Sequence, residues 1–245
     1  MRIDKLLANM GYGSRKEVKK VLKSGAVKID GESVNDPKTQ VNPEKDEVTV
    51  NGELVEYREF IYLMMNKPPG VISATEDDSM ETVVDILEME DIIFEPFPVG
   101  RLDRDTEGLL LLTNDGQLAH RLLSPKKHVP KTYYAVISGV VDDDDVKAFK
   151  EGVTLDDGYK TKPADLSILS ADEELGRSEI EVTITEGKFH QVKRMFVSVG
   201  KTVTYLQRIS MGSLKLDETL ELGEYRELTD EELEQLQSPQ HADTV

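Results

Sequence analysis

The sequence contains no cysteine and no tryptophan, and it has no run near the roughly 18 consecutive apolar residues that a membrane span requires. Without cysteine, the chain forms no disulfide, no thiolate zinc site and no cysteine nucleophile, in keeping with a reducing compartment. The charged N-terminus is not followed by the apolar stretch of a secretory signal. These absences predict a soluble cytoplasmic protein.

Positive charge is also scarce, because the 245 residues carry a formal net charge of −18. A nucleic-acid partner needs clustered Lys and Arg to neutralise phosphates, so the total charge alone argues against one. The charge is unevenly distributed along the chain. Residues Met1–Asp30 hold eight cations and three anions, whereas Leu216–Val245 holds one cation and ten anions. The N-terminal end is therefore a candidate for RNA binding despite the acidic total.

Residues 1–58 have the pattern of a small domain with two helices followed by a sheet. Apolar residues recur at helical spacing from Ile3 to Met10, and Ser14 with Glu17 forms a capping box that starts a second helix with cationic polar faces. Two turn pairs, Asp30–Gly31 and Asn51–Gly52, separate short β-rich runs and predict hairpins. We expect this domain to be built from both kinds of element.

Residues 59–237 are expected to form a second, larger domain. The pattern at Thr82–Met89 predicts a helix, and the apolar run at Leu109–Thr113 predicts a buried strand. A further strand is predicted at Lys131–Val136. The last residues, Ser238–Val245, are expected to be a disordered tail.

One carboxylate, Asp103, lies on the loop that leads into the strand predicted at Leu109–Thr113. A carboxylate in such a place can be a metal ligand, a helix cap, an ion-pair partner or a nucleophile. The four histidines have no ligand spacing, so a metal site is not indicated. A glycosidase needs a second, proton-donating acid, and the sequence does not single one out. Attack of Asp103 on a sugar carbon stays open.

Several segments taken together resemble a known enzyme family. Residues 1–58 resemble the RNA-binding module named after the small-subunit ribosomal protein S-four. The remainder resembles the pseudouridine synthases, most closely their RsuA branch, and the likeness runs from Met1 to about Leu236. The segments that carry it in the second domain are Asn66–Gly70, Gly100–Asp103, Ser124–Pro125, Lys131–Tyr133, Lys162–Ala164, Glu186–Phe196 and Leu206–Gly212.

The resemblance implies a fold class and a reaction. The expected fold is α+β, with a two-helix plus sheet N-terminal RNA-binding domain and a larger catalytic domain built on a mixed, mainly antiparallel sheet. The implied reaction is isomerisation of a uridine, in which the N1–C1′ bond breaks and C5 bonds to the same sugar carbon. Because no atoms enter or leave, no cofactor and no metal are expected.

The resemblance also implies roles for individual residues. Asp103 is expected to be the nucleophile that adds to the sugar or the uracil ring, or the base in an elimination route. Lys193 is expected to pair with it, and Tyr133 to stack on the target base, with the adjacent Tyr134 in the core. We interpret His190 as a structural residue outside the catalytic set.

RNA contacts are expected from cations in both domains. Arg101 is a candidate to fill the space of an extruded base or to grip a phosphate. The other residues expected to contact RNA are Lys188, Arg194, Arg2, Lys5, Ser14, Arg15 and Lys19.

The expected substrate is one uridine of 16S rRNA, modified in a small-subunit assembly intermediate by a monomeric enzyme. Ser124–Tyr133 and Glu186–Phe196 look most like family members that act on 16S rRNA, and the short acidic tail adds no RNA-binding arm. Three alternatives are weighed against this expectation. They are the same chemistry on 23S rRNA, a non-catalytic RNA-binding ribosome-assembly factor, and a nucleoside hydrolase that releases uracil.

Overall fold

The computed structural model describes residues 1–238, which separate into two compact units. The first unit consists of Met1–Ile61 with Leu87–Glu95, and the second of Tyr62–Ile86 with the residues from Pro96 onward. The expected domain limits of 1–58 and 59–237 stay a prediction. Apart from Ser238, the expected tail lies outside the described residues.

The first unit contains three helices and a four-stranded sheet in the order β2-β1-β3-β4. The side chain of Ser14 accepts from the backbone N–H of Glu17 and its own N–H donates to Glu17 Oε2 at 2.8 Å, which confirms the predicted capping box. Asp30 and Asn51 have positive φ and turn the two predicted hairpins. The elements are α1 (Ile3–Asn9), α2 (Arg15–Lys23), β1 (Val27–Ile29), β2 (Glu32–Ser33), β3 (Val48–Val50), β4 (Glu53–Leu54) and α3 (Met89–Ile92).

Apolar side chains from α1, α2, the sheet and its connecting segments form the core of the first unit. Each buried aliphatic side chain of this size contributes about 1.5–3 kcal/mol relative to exposure. The helical spacing predicted from Ile3 onward is confirmed, because the side chains on that stripe are buried. The core residues are Ile3, Leu6, Leu7, Val18, Leu22, Val27, Val41, Val48, Val50 and Val55.

The second unit is built on a nine-stranded sheet accompanied by four helices. The strands are β5 (Tyr62–Lys67), β6 (Phe97–Pro98), β7 (Glu107–Thr113), β8 (Lys131–Ser138), β9 (Asp165–Asp172), β10 (Arg177–Ile184), β11 (Thr202–Met211), β12 (Leu214–Lys215) and β13 (Tyr225–Glu227). The helices are α4 (Gly116–Leu123), α5 (Asp143–Glu151), α6 (Gln191–Ser198) and α7 (Asp230–Gln237).

The sheet of the second unit runs in the order β13-β5-β7-β11-β8-β10-β9, with β6 beside β7 and β12 beside β11. Among the strand pairs of this sheet, β7 with β11 is parallel and the others are antiparallel. The mixed, mainly antiparallel α+β fold is therefore confirmed. No helix within residues 1–238 is long and apolar enough to cross a membrane.

The helix predicted at Thr82–Met89 is wrong. Thr82 donates from its N–H and its hydroxyl to Asp85 Oδ2, at 2.8 and 2.9 Å, and forms an isolated bridge with Ile72. The following residue, Val83, donates its backbone N–H to Ile72 O at 3.0 Å. These bonds hold the segment in turns, because short polar side chains compete with helical backbone bonding.

The contact of β7 with β11 leads to a prediction about stability. Gly108 has φ +100°, and a Cβ there would lie 2.8 Å from the backbone nitrogen of Arg208 and closer still to its carbonyl oxygen. We expect Gly108→Ala to lower the free energy of unfolding by about 3 kcal/mol or more, because strain and a backbone clash add together.

Urea denaturation measures this change, with Gly116→Ala as the matched control. Gly116 has open space around its Cβ position and no positive φ, so this alanine is expected to be neutral or slightly stabilising. Equal midpoints for the two variants would contradict the constraint at Gly108.

Candidate active site

A pocket of about 630 Å³ opens in the second unit, beside the loop that precedes β7. Four of the residues predicted to act in catalysis or RNA binding line it: Arg101, Asp103, Tyr133 and Lys188. Side chains to which no catalytic role was assigned also line it, namely Lys131, Glu186, His190 and Arg208. The fold thus brings together four segments that are separate in the sequence.

Hydrogen bonds to neighbouring residues fix the loop that carries Asp103. The backbone O of Asp103 accepts from Thr106 N at 3.0 Å, and the neighbouring Leu102 exchanges two hydrogen bonds with the Ser73 hydroxyl, at 3.0 and 3.1 Å. The Asp103 side chain is 28% exposed, so its carboxylate is open to a ligand but partly shielded from water. A rigid loop of this kind can present a carboxylate to a substrate.

Two cationic or ionisable groups face the Asp103 carboxylate. Lys193 Nζ lies 3.3 Å from Oδ2, and His190 Nε2 lies 3.6 Å from Oδ1. The expected pairing of Lys193 with Asp103 is therefore present in the geometry. His190, which the sequence places outside the catalytic set, has φ +48° at the start of α6 and stacks on Phe189 with 3.7 Å between ring centroids. Its position beside Asp103 was not predicted.

Lys193 is shared between two carboxylates. Its shorter contact goes to Asp105, whose Oδ1 accepts from Nζ at 2.6 Å. This hydrogen bond holds the pKa of the Asp105 carboxyl below its usual value. Because Asp105 is 73% exposed, its pair with Lys193 adds little to stability. Its effect is to fix the ammonium within reach of Asp103.

Lys67, a residue that the sequence did not single out, lies under the Asp103 loop. Its fully buried ammonium donates to the carbonyl oxygens of Pro68 and Thr106, both at 2.9 Å, and of Arg104 at 3.4 Å. Burial lowers the pKa of Lys67 to about 8, although Asp105 and other nearby carboxylates oppose the shift. In the sequence, only two features indicate Lys67. It stands at the end of an apolar strand, and it lies inside Asn66–Gly70, a segment that carries the family resemblance.

The two adjacent tyrosines of β8 face opposite sides of the sheet, as the strand period requires. Tyr133 is 7% exposed and lines the pocket, next to Arg208 on the paired strand. Tyr134 is only half-buried, and its ring meets Tyr205 edge-on with centroids 6.0 Å apart. The expectation that Tyr134 belongs to the core is therefore wrong, because the core side of β8 is taken by Tyr133.

A buried carboxylate, Glu186, ties a neighbouring loop to the start of α6. It accepts from Tyr159 Oη at 2.6 Å, Lys162 N at 2.9 Å and Gln191 Nε2 at 2.8 Å. The bond to Glu186 raises the pKa of the Tyr159 hydroxyl. Lys188 Nζ lies 4.5 Å from the centroid of the Tyr159 ring, a cation–π contact at the pocket wall.

Arg194 does not line the pocket and is already neutralised. It forms ion pairs with Asp156 and with Asp157, the latter at 2.7 Å, and it holds the pKa of Asp157 below its usual value. An RNA phosphate would have to compete with two carboxylates for this guanidinium. The role of Arg194 in RNA binding stays a prediction.

Residues of the first unit that were predicted to contact RNA differ in their surroundings. Lys5, Arg15 and Lys19 are exposed and form no ion pair within residues 1–238. Arg2 pairs with the buried Asp4 at 2.6 Å, and the Ser14 hydroxyl serves the helix cap. Of the five predicted residues, Lys5, Arg15 and Lys19 are thus the ones open to phosphate.

Within the described part of the chain, no group of three or more His, Asp or Glu side chains has the arrangement of a metal site. Asp103 and His190 are within 4 Å of each other, but their partners are cations and an aromatic ring. In the pocket, the Asp103 carboxylate lies between the Lys193 ammonium and the His190 ring. Such a carboxylate can act as a nucleophile or as a base.

Comparison with known proteins identifies both parts of the chain. The family model described as RNA pseudouridylate synthase matches residues 61–198, and the S4 domain model matches residues 1–48. An uncharacterized RNA pseudouridine synthase of Bacillus subtilis strain 168, YtzG, is 62% identical over 98% of this chain and 100% of its own.

More distant relatives carry names that refer to the ribosome. Ribosomal large subunit pseudouridine synthase B of Bacillus subtilis strain 168 is 39% identical, over 97% of this chain and 96% of its own. Ribosomal small subunit pseudouridine synthase A of Escherichia coli K12 is 38% identical, over 95% and 98%. A crystal structure of a pseudouridylate synthase has a TM-score of 0.67 at 39% identity, over 96% and 99%. The chain therefore belongs to the RNA pseudouridylate synthase family, as an RNA pseudouridine synthase with an N-terminal S4 domain.

Proposed function

We propose that this enzyme isomerises one uridine of ribosomal RNA to pseudouridine, with Asp103 as the nucleophile. The observation that carries the proposal is the position of Asp103 in the pocket, 3.3 Å from the Lys193 ammonium. A neighbouring cation favours the ionised form of a carboxylate, which is the form that attacks carbon or accepts a proton. Lys193 therefore places a positive charge beside one oxygen of the nucleophile, and His190 lies beside the other.

The remaining pocket residues fit the handling of a uracil ring. Tyr133 lines the pocket with a flat side chain on which a base stacks, and its hydroxyl can take part in proton transfer. A base in folded RNA must be extruded before it reaches Asp103. Arg101, exposed two residues before the nucleophile, is suited to fill the vacated space or to hold a phosphate, and Lys188 also lines the pocket.

The target that we propose is a uridine of 16S rRNA, modified by a cytoplasmic monomer in a small-subunit assembly intermediate. Relatives named for the two ribosomal subunits are about equally similar, at 39% and 38% identity, so overall similarity does not choose between them. The choice rests on Ser124–Tyr133 and Glu186–Phe196, which resemble those of family members that act on 16S rRNA. A base is also extruded more readily before the subunit is complete.

The first prediction concerns the nucleophile. Asp103→Asn should lower the single-turnover rate of pseudouridine formation by at least about a thousandfold, because the amide has nearly the same shape but no nucleophilic charge. RNA affinity and the thermal midpoint should not change. Asp143→Asn, in the exposed first turn of α5, is the matched control. Turnover by pure Asp103→Asn would remove Asp103 from this role, whereas release of free uracil by the wild type would identify a hydrolase.

The second prediction concerns Lys5, Arg15 and Lys19, three exposed cations of the first unit that form no ion pair within residues 1–238. Replacing Lys5, Arg15 and Lys19 by alanine in the full chain should weaken RNA binding. It should also flatten the dependence of log K on log salt by roughly 0.7–0.9 for each phosphate contact that is lost. Lys147→Ala, which removes an exposed side chain of α5, is the control and should leave the slope unchanged. An unaltered slope in the triple variant would show that these side chains are only solvated.

The third prediction concerns the target. Pseudouridine mapping of both large rRNAs from a deletion strain should show the loss of one site in 16S rRNA and none in 23S rRNA. Purified protein added to 16S rRNA from that strain should restore the site, whereas Asp103→Asn should not. Loss of a site in 23S rRNA alone would overturn the assignment to the small subunit and leave the enzyme class intact.

A further inference from the structure

Arg208 and Lys131, two positively charged side chains of the sheet, line the pocket without a counter-ion in the described part of the chain. Arg208 is 2% exposed; its Nε donates to Leu109 O at 2.8 Å, and its Nη2 is buried without a hydrogen-bond partner. Lys131 is half-buried, and its Nζ donates to Val129 O at 3.1 Å. Within residues 1–238 neither side chain forms an ion pair, and both line the pocket that contains Asp103.

This arrangement differs from that of the two cations on α6. Lys193 lies between two carboxylates, and Arg194 is paired with two more. Buried charges are normally paired, and buried N–H groups normally have acceptors, because leaving them alone is costly. Here the pKa of Lys131 is lowered to about 8, first by burial and then by the positive charge of Arg208. The fold therefore holds two like charges close together, and within residues 1–238 no carboxylate forms an ion pair with either of them.

An anion that enters the pocket would supply the missing charge, and the reaction produces one there. When the N1–C1′ bond breaks, its electron pair leaves with the uracil ring, and the negative charge spreads over N1, O2 and O4. The Asp103 carboxylate adds to the electron-deficient sugar carbon, C1′. C5 then bonds to C1′ and releases the carboxylate, C5 loses its proton and N1 gains one, so the composition is unchanged.

The strand register places these cations beside the group proposed to stack on the base. Arg208 pairs across the sheet with Tyr133, and Lys131 precedes Tyr133 by two residues on the same side of β8. An RNA phosphate is a less suitable occupant, because it stays attached to the strand outside, whereas these side chains are buried or half-buried. The base is the part of the nucleotide that reaches them.

We propose that Lys131 and Arg208 stabilise the detached uracil anion and hold it while it turns to present C5 to the sugar carbon. The proposal rests on the function proposed above. Preorganised charges aimed at a developing anion act strongly in a site that excludes water. Both residues are therefore assigned to the bond-breaking step and not to the binding of RNA.

The test compares Lys131→Met with the wild type on RNA that carries either uridine or 5-fluorouridine at the target position. With uridine, we expect the single-turnover rate to fall about a hundredfold at saturating enzyme, with RNA affinity changed by less than about twofold. Fluorine withdraws electrons and makes the ring a better leaving anion. The deficit in cleavage of the N1–C1′ bond should therefore shrink to about tenfold or less with 5-fluorouridine.

Three variants make the outcome specific. Lys131→Arg keeps the charge and should retain most of the rate, Lys147→Met controls for removal of an exposed lysine, and Lys131→Gln replaces Lys131→Met if the latter has a lower thermal midpoint. An equal deficit on both RNAs, or a loss of affinity with a normal saturated rate, would overturn the proposal. A wild type that makes no pseudouridine would instead contradict the proposed function.

Discussion

The two halves of the large sheet are joined by the parallel contact of β7 with β11, where Gly108 lies beside Arg208. A side chain at position 108 would meet the backbone of Arg208, so the contact requires glycine. The Asp103 loop leads directly into β7, and β11 pairs on its other side with β8, which carries Tyr133. This one strand contact therefore brings the carboxylate, the tyrosine and the buried arginine into a single pocket.

The acidic character of the chain has a structural use at this site. Helix α6 presents Lys193 to the carboxylates of the Asp103 loop and Arg194 to those of Asp156 and Asp157. At the N-terminus of the same helix, Gln191 is bound by the buried Glu186. Carboxylates thus fix the helix at several points, so the acidic residues around the pocket position its cations and do not merely lower the net charge.

Local features of the fold could be predicted from the sequence because neighbouring residues determine them. The capping box at Ser14 and the turn at Asp30–Gly31 depend on side chains only a few positions apart. The helix expected at Thr82–Met89 fails for the opposite reason. Its apolar spacing is helical, but the Val83 N–H donates to Ile72 O, eleven residues earlier, and Asp85 accepts from the Thr82 N–H and hydroxyl. The spacing of apolar residues within the segment cannot predict a hydrogen-bond partner that lies outside it.

The same distinction applies to the site. Asp103 and Tyr133 are found from motifs. The ion-pair and hydrogen-bond partners of each lysine are not, because they come from distant parts of the chain. Lys193 and Asp105 are 88 positions apart, and Lys67 meets carbonyl groups up to 39 positions away. In the sequence Lys131 and Lys193 are alike, but in the fold one lies beside Arg208 and the other between two carboxylates. Tertiary structure therefore sets the charge that a ligand encounters in this pocket. A lysine that is already paired with carboxylates is neutralised, whereas an unpaired lysine can still interact with the ligand.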